Sequence, residues 1–188
     1  RSAIKIFQAI PFISSNAINF FNLNQKQIAL SCSSHCGENF HIKELNDWLK
    51  KTKLKSSNLM CGVHNPLDKK SSEKLLLSGQ RPYQLYNNCS GKHLAMLSNC
   101  IINGYPIKDY VDFNHQHQKS IRSIFSQFTE SKIIKKSYGV DGCSAPQYAF
   151  KIKDLGKALT NLFKNFNSKL ELSEQIKIII NSIMKNPL

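Results

Sequence analysis

Apolar residues return at every third or fourth position along most of this chain, and that period restricts its fold more than any other feature. Ile42, Leu45, Trp48 and Leu49 share one face of a helix predicted over about residues 41–53, with Lys50, Lys51 and Lys53 on the other. The same spacing joins Ile4, Phe7 and Ile10, then Leu94, Leu97 and Ile101, then Ile121, Ile124, Phe125 and Phe128. Two more helices are expected near the end, one bearing Leu155, Leu159, Leu162 and Phe166, the other Ile176, Ile179, Ile180 and Ile183. Glycine, proline and capping residues supply the breaks. The first helix is expected to end near Pro11, Asn24 to cap a short helix carrying Ile28 and Leu30, and Gly79 and Gly104 to close two others. Gly62 and Pro66 make residues 61–69 a loop. Gly139, Gly142 and Pro146 interrupt the pattern again, before a strand expected around Tyr148 to Ile152. The segment therefore reads as mostly α-helical, with its cysteines and glycines gathered in the loops.

At 188 residues and 41% hydrophobic, the chain can bury one sizeable core and needs no domain linker. No apolar run approaches the roughly 18 to 20 residues that span a bilayer, and the N-terminus lacks the apolar core of a secretory signal. The expectation is a soluble, cytoplasmic protein with no membrane partner. Because "RSAIKIFQAIPF" enters an amphipathic pattern from Arg1 onward, the chain is expected to be cut from inside a larger domain. The net charge of +14 invites a nucleic-acid reading. However, the only arginines are Arg1, Arg81 and Arg122, and the lysines are scattered, which fits a solvated surface better than a phosphate footprint. The six cysteines are expected as reduced thiols, with Cys100 a small core residue.

Three clusters hold side chains able to do chemistry. Ser2 and Lys5 form S-x-x-K at the start of a helix, where an i, i+3 pair shares a face and a lysine with lowered pKa can activate a serine. Taken alone, the pair is more often a capping serine beside a surface lysine. The stretch "SCSSHCGENFH" places Ser34 and His35 before Gly37, and taken alone reads rather as a Ser-rich helix end with His35 and His41 in solvent. Cys89 and Lys92 occupy one helical turn in "YNNCSGKHLAML", and Cys143 lies in the loop "GVDGCSAP". Two thiolates and a neutral amine are a reasonable ligand set for zinc, and the bland alternative is a helix N-terminus with free cysteines.

The stretches "RSAIKIFQAIPF", "IALSCSSHCGENFH", "MCGVHNPLD", "YNNCSGKHLAML" and "GVDGCSAPQYAF", in this order, resemble the asparaginase II family, the rhizobial-type L-asparaginases. The resemblance implies an α+β fold like that of the serine β-lactamases and penicillin-binding proteins, with residues 1–188 a single incomplete asparaginase domain. It implies Ser2 and Lys5 as the first serine–lysine pair, Ser34 as the second catalytic serine, and Cys89, Lys92 and Cys143 as zinc ligands. Arg1, His93 and Asp141 match positions beside these groups and are carried as substrate-binding residues. The implied activity is hydrolysis of L-asparagine to L-aspartate and ammonia by a homodimer. Ser2 is favoured over Ser34 as nucleophile because Lys5 lies one turn away. Cys36 departs from the family pattern, and the lysine partnering the second serine is expected beyond residue 188. An inactive, truncated zinc-binding relic of the fold is the alternative. A β-lactam-opening acyl-enzyme ranks below both, since it leaves the Cys/Lys/Cys cluster without a part.

Overall fold

The computed structural model describes residues 2–187, excluding the side chain of Ser2. After a 3₁₀ turn at Ser2–Ile4, the helices are α1 (Lys5–Ser14), α2 (Ala17–Phe20), α3 (Gln25–Cys32), α4 (Asn39–Thr52), α5 (Lys69–Leu77), α6 (Ser90–Ile102) and α7 (Gln116–Thr129). A hairpin of β1 (Tyr138–Val140) and β2 (Pro146–Tyr148) follows, then α8 (Ile152–Phe166) and α9 (Ser173–Lys185). The class is mostly helical with a small antiparallel sheet. No helix among the described residues is long and apolar enough to cross a membrane.

Local chemistry accounts for most of the boundaries. Asn24 caps α3 by accepting the Gln27 N–H at 2.9 Å, and the Gln27 side chain accepts the Asn24 N–H at 3.0 Å, a reciprocal capping box. Asp68 caps α5 through the Ser71 N–H at 2.7 Å. Gly104, at φ 65°, ends α6 in the left-handed region, and the Tyr105 N–H closes onto the Cys100 carbonyl.

Pro11 does not end the first helix, which continues to Ser14. The ring removes one backbone hydrogen bond, at a cost of roughly 3 kcal/mol. Phe12 and Ile13 beyond it are 0% and 6% exposed, and burying each contributes about 1.5–3 kcal/mol. Packing therefore carries the helix through the proline. The strand expected around Tyr148 to Ile152 also shifts, because β2 stops at Tyr148 and Ile152 already opens α8. Leu159 and Ile183, which share the apolar stripes of their helices, stay partly exposed.

The core is built around α1, which packs against α3, α6, α7 and α9. Phe7 meets Phe125 and Phe128 of α7 at ring separations of 5.8 and 5.4 Å, and Phe12 meets Trp48 of α4 at 5.5 Å. The buried Trp48 indole N–H donates to the Ser98 hydroxyl of α6 at 3.0 Å. The hairpin, in register Tyr138 to Tyr148 and Val140 to Pro146, leans its Tyr148 ring on Phe125 at 5.4 Å. Gln8 of α1 donates to the Pro146 carbonyl at 3.4 Å, tying the hairpin to the central helix. Gly91 decides how α6 meets α3, because a Cβ there would collide with the Leu30 carbonyl. The first turn of α6 thus lies directly against the last turn of α3.

Candidate active site

That contact brings three helix ends together: the start of α1, the end of α3 and the start of α6. Lys5, 2% exposed, donates from Nζ to the Ser33 carbonyl at 2.5 Å and to Ser34 Oγ at 2.6 Å. Its amine also hydrogen-bonds the Cys89 sulfur. Burial pushes Lys5 below its usual range; the Cys89 sulfur works against that shift and the Lys92 charge reinforces it. A lowered lysine beside a serine hydroxyl is the arrangement that lets an amine act as a base.

Cys89 stands at the N-cap of α6, and its backbone N–H donates to Asn87 Oδ1 at 2.9 Å. Asn87 is held in turn by donating to the Cys61 carbonyl at 2.7 Å. Across from Cys89 lies Cys143, in the loop joining β1 to β2. A hydrogen bond from the Cys143 thiol brings Cys89 down to about 6 against the effect of burial, with the Lys92 and Lys5 charges assisting. Cys143 is pushed up to about 12, first by its hydrogen bond with Cys89 and then by burial.

Asp141 shapes the loop that delivers Cys143. One carboxylate oxygen accepts the Cys143 and Ala145 N–H groups at 2.8 and 3.3 Å, and the other meets Lys92 Nζ at 3.3 Å. Both side chains of this ion pair are 3% exposed. Burial alone would lower Lys92, but Cys143, Cys89 and Asp141 together raise it above its usual range. Burial would likewise raise Asp141, yet Lys92 and the Cys143 hydrogen bonds hold it below the usual carboxylate range. His93 is fully buried, with Nδ1 2.6 Å from the Tyr110 hydroxyl and Nε2 3.3 Å from Cys143 Sγ.

Lys5, Ser34, Cys89, Lys92, His93, Asp141 and Cys143 therefore form one connected polar cluster, although they come from four separate stretches of sequence. Arg1 and the Ser2 side chain lie outside the described residues. Cys36 is exposed. Sequence reasoning missed Tyr110, Asn87 and Cys61 as supports of the cluster; Asn87 and Cys61 sit within quoted motifs, and Tyr110 sits in none. An open cleft of about 560 Å³ runs along the hairpin and reaches Asp141, whereas another of about 370 Å³ lies away from the cluster beside Asn99 and Asn103.

A family model described as L-asparaginase II matches residues 1–188, the same span that carries every member of this cluster. The chain belongs to the L-asparaginase II family. No curated protein matches it. Among the described residues of this L-asparaginase II family member, no group of three or more His, Cys, Asp or Glu side chains is placed to hold a metal ion. The mixed set of Cys89, Cys143 and Lys92 is a different case, since it offers two neighbouring sulfurs and an amine that hydrogen-bonds Cys143 and feels the charge of Cys89. In donor chemistry that set fits zinc, provided Lys92 gives up its proton on binding.

Proposed function

We propose that this chain is an L-asparaginase, which hydrolyses the side-chain amide of L-asparagine to L-aspartate and ammonia. The observation that carries the reading is the buried Lys5 amine, 2.6 Å from Ser34 Oγ and joined through Cys89 to the Cys/Lys/Asp cluster. Membership in the L-asparaginase II family supports the reaction class, an amide hydrolase.

In this reading neutral Lys5 takes the proton of a serine hydroxyl as its oxygen attacks the amide carbon. The resulting lysinium returns that proton to the leaving nitrogen, which departs as ammonia. Water then adds to the aspartyl ester, with Lys5 again removing and returning a proton, and the serine is regenerated. Ser2 is assigned as nucleophile, from its i, i+3 spacing to Lys5, and Ser34 as the hydroxyl that orients the amine. Cys89, Cys143 and Lys92 would hold a zinc ion, whose positive charge would help to orient the substrate. The same reading takes residues 1–188 as part of one asparaginase domain with a β-lactamase-like arrangement.

Ammonia release from asparagine tests the assignment. Ser2→Ala and Lys5→Ala are expected to lower turnover by about 10²–10⁴-fold, the usual range for loss of a positioned proton-transfer group. Ser34→Ala is expected to cost less, because Lys5 keeps the Ser33 carbonyl and Cys89 as partners. Undiminished turnover in both Ser2→Ala and Lys5→Ala overturns the serine–lysine mechanism. Zinc retained through Cys89 and Cys143 without any ammonia release from the wild type points instead to a metal-binding relic of the fold.

A further inference from the structure

Tyr110 sits in the loop between α6 and α7, fully buried, and belongs to none of the motifs that mark the site. Its hydroxyl lies 2.8 Å from the Met60 backbone nitrogen and 2.6 Å from His93 Nδ1. A backbone N–H can only donate, so the Met60 contact makes the Tyr110 oxygen an acceptor on that side. The phenol has a single proton, which burial keeps in place, and the remaining partner in reach is His93 Nδ1. Nδ1 must then be bare, and the one proton left to the ring is on Nε2, facing Cys143 Sγ at 3.3 Å. Two roles that a ring–sulfur contact leaves open are thus settled by a main-chain amide.

We propose that Tyr110 is a positioning residue of this site, holding His93 in the tautomer that donates Nε2–H to the Cys143 sulfur. The consequence lies one atom further on. Receiving a hydrogen bond from His93, the Cys143 sulfur is fixed as the acceptor of that contact. With the opposite tautomer, a bare Nε2 would face that sulfur, and the contact would lose the donor that the ring supplies. Tyr110 therefore sets the direction of a hydrogen-bond chain running from Met60 through His93 to Cys143.

The test is nitrogen-15 NMR on histidine-labelled protein, with His93→Gln assigning the His93 signals among the six histidines. The wild type is expected to show a protonated Nε2 and a bare Nδ1 at His93, and Tyr110→Phe to replace this with a tautomer mixture. A protonated Nδ1 in the wild type, or an unchanged tautomer in Tyr110→Phe, overturns the proposal; the wild-type spectrum decides it even if the variant fails to fold. The kinetic arm rests on the asparaginase reading. Tyr110→Phe is expected to lower kcat/KM by about 10-fold, as loss of an outer hydrogen-bond partner commonly does. In a His93→Gln background, where an amide N–H serves the sulfur without Tyr110, the same change is expected to cause no further loss. Equal losses in both backgrounds overturn the positioning role. No ammonia from the wild type would remove the asparaginase reading while the tautomer measurement still stands.

Discussion

Asp141 shows how one side chain holds two parts of the site. Its two oxygens divide the work: one gathers the Cys143 and Ala145 N–H groups, and the other balances the buried Lys92 ammonium. Asp141→Asn keeps an oxygen for the loop but removes the charge, and leaving a buried cation without its partner typically costs about 3–5 kcal/mol. The Cys143 and Cys89 sulfurs also act on Lys92, so the lower end, about 3 kcal/mol, is expected. Asp141→Ala is expected to cost more, because two backbone N–H groups then lose their acceptor. Urea denaturation separates the two variants; equal stability losses would mean that the loop contacts contribute nothing. Residue identity was legible where family motifs mark it, at Lys5, Ser34, Cys89, Lys92 and Cys143. Tyr110 was not, since its part depends on Met60 and His93, which meet it only in the folded chain.

At the scale of elements, the packing of α6 on α3 decides whether the site assembles. Gly91 permits it, and any Cβ there must push the Leu30 carbonyl away. Gly91→Ala is therefore expected to destabilise the protein by about 1–3 kcal/mol, the usual cost of overpacking, although alanine favours the helix. The same displacement would draw Cys89 and Lys92 away from Lys5 and Ser34, so asparagine hydrolysis should fall by more than the lost stability explains. A Gly91→Ala protein as stable and active as the wild type would remove Gly91 from this role. The long helices were legible because each buries one face against α1 or its neighbours, which writes a 3.6-residue period into the sequence. The hairpin was not, because three-residue strands are too short to show alternation and Pro146 reads as a breaker. Pro11 misled for the opposite reason: a local rule yields where Phe12 and Ile13 have a core to enter.

Over the whole molecule, acid stability follows from histidines that the fold keeps neutral. His117 Nδ1 faces the Asn99 side-chain nitrogen at 2.7 Å, and the Asn99 oxygen is already taken by Asn103 at 3.0 Å, so a proton on Nδ1 would set donor against donor. His35 Nδ1 accepts the Gly37 N–H at 3.1 Å, and its Nε2 lies 2.8 Å from a Ser90 hydroxyl that also donates to the Leu85 carbonyl. Burial, chiefly, lowers both rings from 6.5 to about 3. Between those values the unfolded chain binds two protons that the native state refuses, so native stability is complete above pH 6.5 and declines as pH falls toward 3. From pH 7 to pH 5 the two rings together remove on the order of 4 kcal/mol, an upper figure for fully buried groups. Urea midpoints taken across that interval should fall steeply, and His117→Gln, which accepts no proton, should flatten the decline. A midpoint constant from pH 7 to pH 5 would show that these rings take up protons in place, and that the hydrogen-bond polarity around Asn99 and Ser90 rearranges to receive them.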